Sequence, residues 1–318
     1  MSKIISTGRA PVILEEIPAN ISFSDFYNIY LHDMEARLKP SSLSSKKHIF
    51  SEKILPFFGS LPIRDISTQH VRKWQSIILR QNYSPAHQQL IDFQLFAMMN
   101  YAERYYDIPN PCTKAGHIGS SSTKKLSFWT LDEYELFISH FTNDPEAFTA
   151  FEILYWTGMR QGELLALTPS DIDESRHEIR ITKTYTQIDG KDIISTPKTK
   201  KSERNVGIPP FLLNEILSYI NSKCIPPDGR LFERTRHYLF FKLRKGCEAS
   251  GVRQIRAHDI RHSHVSLLIN AGFSALDIAE RVGHESVSTT LDVYAHLFPD
   301  QQQMLIDRLE ELHQESEN

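Results

Sequence analysis

At 318 residues and 36.7 kDa, with 40% hydrophobic and 24% charged residues, the chain is long enough for a sizeable core and two domains. No apolar run approaches the roughly 18 to 20 residues of a membrane span, and MSKIISTGRA lacks the apolar stretch of a secretory leader, so a cytoplasmic protein is expected. The net charge of −3 excludes a protein that coats nucleic acid indiscriminately, so any nucleic-acid contact must come from local patches. Cys112, Cys224 and Cys247 are too scattered for a disulfide framework or for CxxC metal spacing.

Residues 1–20 carry Pro11 and Pro18 and no periodicity, which predicts a flexible lead-in. FSDFYNIYLHDMEARL then puts Phe23, Phe26, Tyr27, Tyr30 and Leu31 on one face of a helix reaching about Leu38, with Ser22 or Ser24 as its N-cap. After a turn at Pro40, a second helix carries Lys46, Lys47 and Lys53 and ends at FFGSLP. STQHVRKWQSIILRQ and SPAHQQLIDFQLFAMMNYAERYY predict two more, each opening on a serine cap, the last with Leu90, Phe93, Phe96 and Met99 inward. Residues 21–115 therefore read as a four-helix bundle, and its 11 Lys and Arg against 8 Asp and Glu leave it basic. A Pro-, Gly-, Ser- and Lys-rich stretch makes residues 116–126 the expected linker.

Residues 127–318 form the expected second domain. Helices are predicted at TLDEYELFISHF, at PEAFTAFEILYWTG up to Gly158, and from about Arg160. The period then alternates, and HEIRITKTYTQIDGKDIISTPKTKKSERNVGIP predicts three short antiparallel strands with a turn at Asp189 and Gly190 and a basic loop at Lys198 to Lys201. Helices resume at Phe211, and Gln301 to Asn318 end acidic, with 1 basic and 5 acidic residues. The fold class expected is mainly α: a helical bundle followed by a mixed, mainly helical domain with a small three-stranded antiparallel sheet.

Six residues, in the order Arg160, Lys198, His258, Arg261, His284 and Tyr294, supply two guanidiniums, an ammonium, two imidazoles and a phenol. A phosphodiester gathers negative charge on its non-bridging oxygens in the transition state, and forked, permanently charged guanidiniums suit that demand better than lysine. The phenol of Tyr294, with a reference pKa of about 10, needs help losing its proton. His258 and Arg261, three apart, share a helical face and place an acid/base group beside a phosphate clamp. The departing 5′ oxygen needs a proton, for which Lys198 is the best placed donor, with Lys200 and Lys201 left open.

These residues, in TGMRQGELLAL, HDIRHSH, VGH and VYAH, make the chain resemble the tyrosine recombinases, or phage-type integrases, from about Phe23 to about Pro299. The resemblance implies that Tyr294 attacks the scissile phosphate to give a 3′-phosphotyrosine, which a second 5′ hydroxyl reverses onto a new partner, with no metal or nucleotide cofactor. It also implies that Glu163 buttresses Arg160 and that His284 hydrogen-bonds the phosphate. Residues 21–115 resemble the family's core-binding domain, with Lys46, Lys47, Ser84, His87 and Gln88 as expected contacts to duplex DNA, joined by Lys200, Lys201 and Arg204 of the second domain. TPKTKKSERNVGIP looks more like integrases of Gram-positive phages and conjugative transposons than like chromosome-dimer resolvases. Such integrases usually carry a longer arm-binding domain at the N-terminus, so a truncated or variant form is expected. Self-assembly to a tetramer on paired sites, and a directionality factor or DNA-bending host protein as partners, follow from the same resemblance.

Taken singly, these residues have ordinary uses: Arg160 on a helix surface, Lys198 in a solvated turn, Tyr294 in packing, His284 as a cap. Their joint order favours the chemical reading. His258 and His262 have the i, i+4 spacing of a zinc pair, but Asp259 stands where the usual Glu would be and no clear third ligand follows, so His262 and His264 are expected to be structural or to sit behind Arg261. The rival readings are a type IB topoisomerase, a catalytically silent DNA-binding regulator and a metal-dependent nuclease.

Overall fold

Aromatic side chains at helical spacing build the first part of the computed structural model. It describes residues 17–120, 126–196 and 200–298, with residues 4–5, 12–13, 306, 309–310 and 313–314 as short further pieces. The chain divides into two units, before and after the Lys124–Lys125 bond. Within the expected lead-in, Ile4–Ile5 (β1) pairs antiparallel with Val12–Ile13 (β2).

The first unit comprises α1 (Phe23–Glu35), α2 (Pro40–Ile49), α3 (Leu55–Phe58), α4 (Thr68–Leu79), α5 (Pro85–Tyr106) and α6 (Cys112–Ala115). Ser22 caps α1, its hydroxyl accepting from the Asp25 amide at 3.1 Å, and Ser67 and Ser84 cap α4 and α5 in the same way. Between α2 and α3 the helix widens into a π turn over Phe50–Ile54. The ring of Pro56, one turn on, cannot pack against the carbonyl four residues back. Phe23, Phe26, Tyr27 and Tyr30 of α1 are buried as expected: Tyr27 stacks on Phe50 at 4.5 Å, and Phe23 meets Phe58, which meets Trp74.

The inward face of α5 agrees with expectation at Met99, which is fully buried, and at Phe96, which packs against the core, and differs at Leu90 and Phe93. Ile91, Leu95, Met98, Met99 and Ala102 enter the core, whereas Leu90 and Phe93 lie outside at 45% and 43% exposure. This long helix has two competing apolar rows, and the core takes the one beside α1 and α4. The outer row has its own partner, because Phe93 and Phe96 both meet the His117 ring edge-on, at 4.8 and 4.7 Å.

The second unit opens with α7 (Leu131–Ile138), α8 (Pro145–Thr157) and the single turn α9 (Gln161–Leu164). Strands β3 (Ile172–Asp173), β4 (Glu178–Ile181) and β7 (Arg204–Gly207) form the three-stranded antiparallel sheet, in the order β3-β4-β7. The hairpin β5 (Thr184–Ile188) and β6 (Lys191–Ser195) is a separate ladder, turned by Asp189 and Gly190, both at positive φ. The stretch from His177 to Pro209 thus holds four strands where three were expected. The break falls at Thr182 and Lys183, where the Lys183 ammonium pairs with Asp171 at 2.7 Å and Thr168 at 3.0 Å. Among the described residues, α10 (Pro210–Lys223), α11 (Arg236–Ser250), α12 (Asp259–Asn270), α13 (Ala275–Val282) and α14 (Val287–Tyr294) follow.

Helix α8 is the central rod of this unit, apolar almost all round and packed between α10 and α12. Leu154 and Phe151 lie in the main core with Leu212, Ile216 and Ile260. A smaller cluster of Val265, Ile269, Ile278, Val282 and Tyr294 joins α12, α13 and α14. Among the described residues, no helix is long and apolar enough to cross a membrane.

One buried charge stands out in the first unit. The Lys46 ammonium donates to the Tyr30 hydroxyl at 2.9 Å and to Gln94 Oε1 at 2.6 Å and lies over the Tyr30 ring. Burial pulls its pKa down to about 8, so folding disfavours the protonated form. The resulting destabilisation is complete below that value and fades as the pH rises toward the unfolded pKa of 10.5. Lys46→Met is expected to raise the melting temperature at pH 7, with the gap to wild type narrowing between pH 8 and 10; thermal melts across that range check both.

Candidate active site

Two glycines that end helices place two arginines. Helix α8 stops at Gly158, whose φ of +63° suits glycine, and a Cβ there would stand 2.5 Å from Cδ2 of His264. Its carbonyl accepts from Nη1 of Arg261 at 2.9 Å. Helix α13 stops at Gly283, φ +70°, with the His284 amide returning to the Ala279 carbonyl at 2.9 Å and the Gly283 amide to Glu280 at 3.2 Å. That cap presents His284, and the Gly283 carbonyl accepts from Nη2 of Arg160 at 3.3 Å.

Glu163 lies behind Arg160. It is buried, and its carboxylate accepts from the Arg160 amide and Nη1, both at 2.8 Å, and from Nη2 of Arg204 at 3.0 Å. Burial pushes its pKa up, but the guanidiniums of Arg204 and Arg160 outweigh burial and hold it below the ordinary carboxylate value. Arg160 itself is 38% exposed, so its fork is braced from behind and open in front.

Arg261 is 4% exposed, and its Nη2 has no hydrogen-bond partner. Burial, then Arg160 and Arg204, lower its pKa to about 9, which leaves it charged at neutral pH. Nδ1 of His284 meets the Thr290 hydroxyl at 2.7 Å, leaving Nε2 for another partner. Burial, followed by Arg261 and Arg160, takes its pKa down to about 4, so its ring is neutral at pH 7. His258 occupies the N-cap position of α12, and burial followed by Arg261 also lowers its pKa.

Tyr294, the last residue of α14, is 1% exposed. Its hydroxyl makes a short hydrogen bond with Nδ1 of His262. Burial raises its pKa, and Arg261 pulls the other way. Arg160, Arg261, His284 and Tyr294 therefore gather around α12 and the ends of α13 and α14, with His258 one turn from His262 at a ring distance of 5.3 Å.

Other expected residues scatter. Lys198 lies outside the described residues, and Lys200 begins a 3-10 turn over Lys200–Ser202. Lys201 donates to the Glu285 carbonyl at 2.8 Å, next to His284. Arg204 is no surface contact: its side chain is 6% exposed and is used up on Glu163 and the Arg281 carbonyl. Lys46 likewise points inward, to Tyr30 and Gln94, because α2 packs that face on α1 and α5. Gln88 is buried where Gly119 folds back on the first turn of α5. Lys47, Ser84 and His87 remain at the surface or half-buried, with Lys47 paired to Glu35 at 3.0 Å.

His262, expected to be structural or to sit behind Arg261, is the hydrogen-bond partner of Tyr294, 32 residues away. Thr290 and the two glycine carbonyls had no signature in spacing at all. His264 serves Arg281, accepting from its Nε at 3.1 Å. Among the described residues, no group of three or more His, Cys, Asp or Glu is placed to hold a metal ion.

Comparison with known proteins gives a concordant result. The model "Phage integrase, N-terminal SAM-like domain" matches residues 22–79, and "Phage integrase family" matches residues 128–301. The ICEBs1 integrase of Bacillus subtilis strain 168 is 33% identical over 316 residues, 92% of this chain and 84% of that protein. A putative prophage phiRv2 integrase of Mycobacterium tuberculosis H37Rv is 25% identical, over 80% of this chain and 69% of its own. The solved Tn1549 transposon integrase in complex with transposon right end DNA shares the fold, with a TM-score of 0.74 and 19% identity over 91% of this chain and 100% of that one. The chain belongs to the phage integrase family, the tyrosine recombinases that cut and rejoin DNA at specific sites to move mobile genetic elements.

Proposed function

We propose that Tyr294 is the nucleophile, that Arg160, Arg261 and His284 hold the scissile phosphate, and that Glu163 keeps Arg160 in place. One observation carries this reading: a buried guanidinium with an unpartnered Nη2 lies within electrostatic reach of a buried phenol. A phosphate oxygen satisfies that orphaned donor and offsets its desolvation. Attack by the phenolic oxygen then forms the 3′-phosphotyrosyl bond as the P–O5′ bond breaks. The 5′ oxygen leaves with a proton from the lysine loop, Lys198 or its neighbours Lys200 and Lys201, and a second 5′ hydroxyl reverses the reaction.

Residues 21–115 act in this reading as the core-binding domain on duplex DNA, with Lys47, Ser84 and His87 near the backbone, and residues 127–318 as the catalytic domain beyond the 116–126 linker. Lys201, tied to the loop that carries His284, is placed to couple that lysine loop to the phosphate site. Exchange between two duplexes needs four cuts and so four tyrosines, which makes the working form a tetramer on paired attachment-type sites in the cytoplasm of a bacterial host. A directionality factor or DNA-bending protein would bias integration against excision.

A suicide substrate carrying the element's recombination site, with EDTA present, is expected to yield a covalent protein–DNA band with the wild-type protein and none with Tyr294→Phe. A band that persists in Tyr294→Phe removes the assignment. Glu163→Gln strands two guanidiniums on a neutral amide; loss of one partner of a buried ion pair costs about 3–5 kcal/mol. That variant is expected to melt lower at pH 7 and to cleave more slowly, with the stability gap closing as the pH falls through the carboxylate range, because a depressed pKa stabilises only above it. Deleting the acidic residues 301–318 is expected to weaken synapsis, read as loss of the paired-site complex in native gels while single-site binding persists.

A further inference from the structure

We propose that His262 is the base that takes the proton of Tyr294 in strand cleavage and returns it in rejoining. The inference rests on Tyr294 being the nucleophile.

The geometry is specific. Nδ1 of His262 is the hydrogen-bond partner of the Tyr294 hydroxyl, with ring centroids 5.6 Å apart. Burial and then His258, with Asp259 opposing and Arg256 and Arg261 adding to the effect, take the His262 pKa down to about 4. The free protein at neutral pH therefore holds a neutral imidazole against a protonated phenol, so Tyr294 donates and Nδ1 accepts. The ring's proton then sits on Nε2, which lies 4.0 Å from Oδ1 of Asp259. That carboxylate is itself held by Arg256, Nη2 to Oδ1 at 2.7 Å, and favours positive charge on the imidazole as the proton arrives. His258 is placed differently: its ring meets His262 edge-on, and no hydrogen bond joins it to Tyr294.

The surrounding charge explains how so weak a base serves. Burial, with the Arg256 and Arg261 guanidiniums adding to it, disfavours a proton on His262 while the site is empty. A bound phosphodiester cancels part of that field, and the charge gathering on it in the transition state cancels more, so proton affinity rises as the phenol becomes acidic. The step balances. The electron pair of the O–H bond stays on the phenolic oxygen as it bonds to phosphorus, and the proton goes to Nδ1. The P–O5′ bond breaks, and the 5′ oxygen takes its proton from the lysine loop. In rejoining, the 5′ hydroxyl gives its proton to that lysine, and Tyr294 leaves as a phenol with the proton from Nδ1.

The experiment is single-turnover cleavage by wild type, Tyr294→Phe, His262→Asn and His262→Ala, on a suicide substrate and on its analogue with sulfur at the bridging 5′ position. A thiolate leaves without a proton, so the sulfur substrate repairs a missing acid and not a missing base. In His262→Asn, Oδ1 stands where Nδ1 does and keeps the phenol's hydrogen bond but cannot take the proton. Both His262 variants are expected to cleave about 100-fold more slowly or worse on either substrate, the range for loss of a general base, with DNA affinity unchanged in gel shifts. The rate of His262→Asn should also climb roughly tenfold per pH unit near neutrality, as hydroxide replaces the base, where wild type is level. Wild-type rates in His262→Asn would show that the histidine only positions the phenol and would overturn the inference. Rescue by sulfur would make it the leaving-group acid and overturn it equally. A covalent adduct in Tyr294→Phe would instead fell the nucleophile assignment itself.

Discussion

A guanidinium buried without a carboxylate of its own is the constraint around which the second unit is arranged. Arg261 is held by one carbonyl and leaves one nitrogen unmatched, which in a finished core would be a costly defect. The buried carboxylates nearby are already engaged, Glu163 by Arg160 and Arg204 and Asp259 by Arg256. Burial first, and the neighbouring guanidiniums after it, drive three histidines, His258, His262 and His284, toward their neutral forms. A polyanion passing through supplies the missing charge, and until it does the protein bears the strain.

That strain is tolerable because the groups bearing it sit on rigid supports. Arg261 and His262 project from α12, which packs along α8, and the carbonyls that steady the two arginines end α8 and α13. Each carbonyl belongs to a glycine in a left-handed conformation, so a helix terminus and an arginine fork are fixed by the same residue. The two arginines are braced differently: Arg160 by an anion, with its fork open in front, and Arg261 by a carbonyl dipole, with one nitrogen unmatched.

Much of this was legible in the sequence, for identifiable reasons. The order Arg160, His258, Arg261, His284 and Tyr294 stood out because phosphoryl chemistry restricts the residue types that can serve. The helices α1, α4 and α5 announced themselves through serine caps. What failed depended on tertiary contact. α5 has two apolar rows, and only packing decides that Ile91 and Leu95 go in while Leu90 and Phe93 stay out. A basic side chain reads as a surface charge until its neighbours are known, which is why Lys46 and Arg204 were assigned to DNA. The bond between His262 and Tyr294 joins segments that no local pattern relates.

The burial of Tyr294 in a small aliphatic cluster has a consequence for how such a protein behaves between encounters. Its hydroxyl, the nucleophile in the proposed mechanism, is packed away, protonated and facing an imidazole rather than solvent. On the proposed assignment, a molecule of this kind can move along a chromosome past unrelated backbone linkages and leave no nick behind. Harm to the host is averted by chemistry before any question of target choice arises.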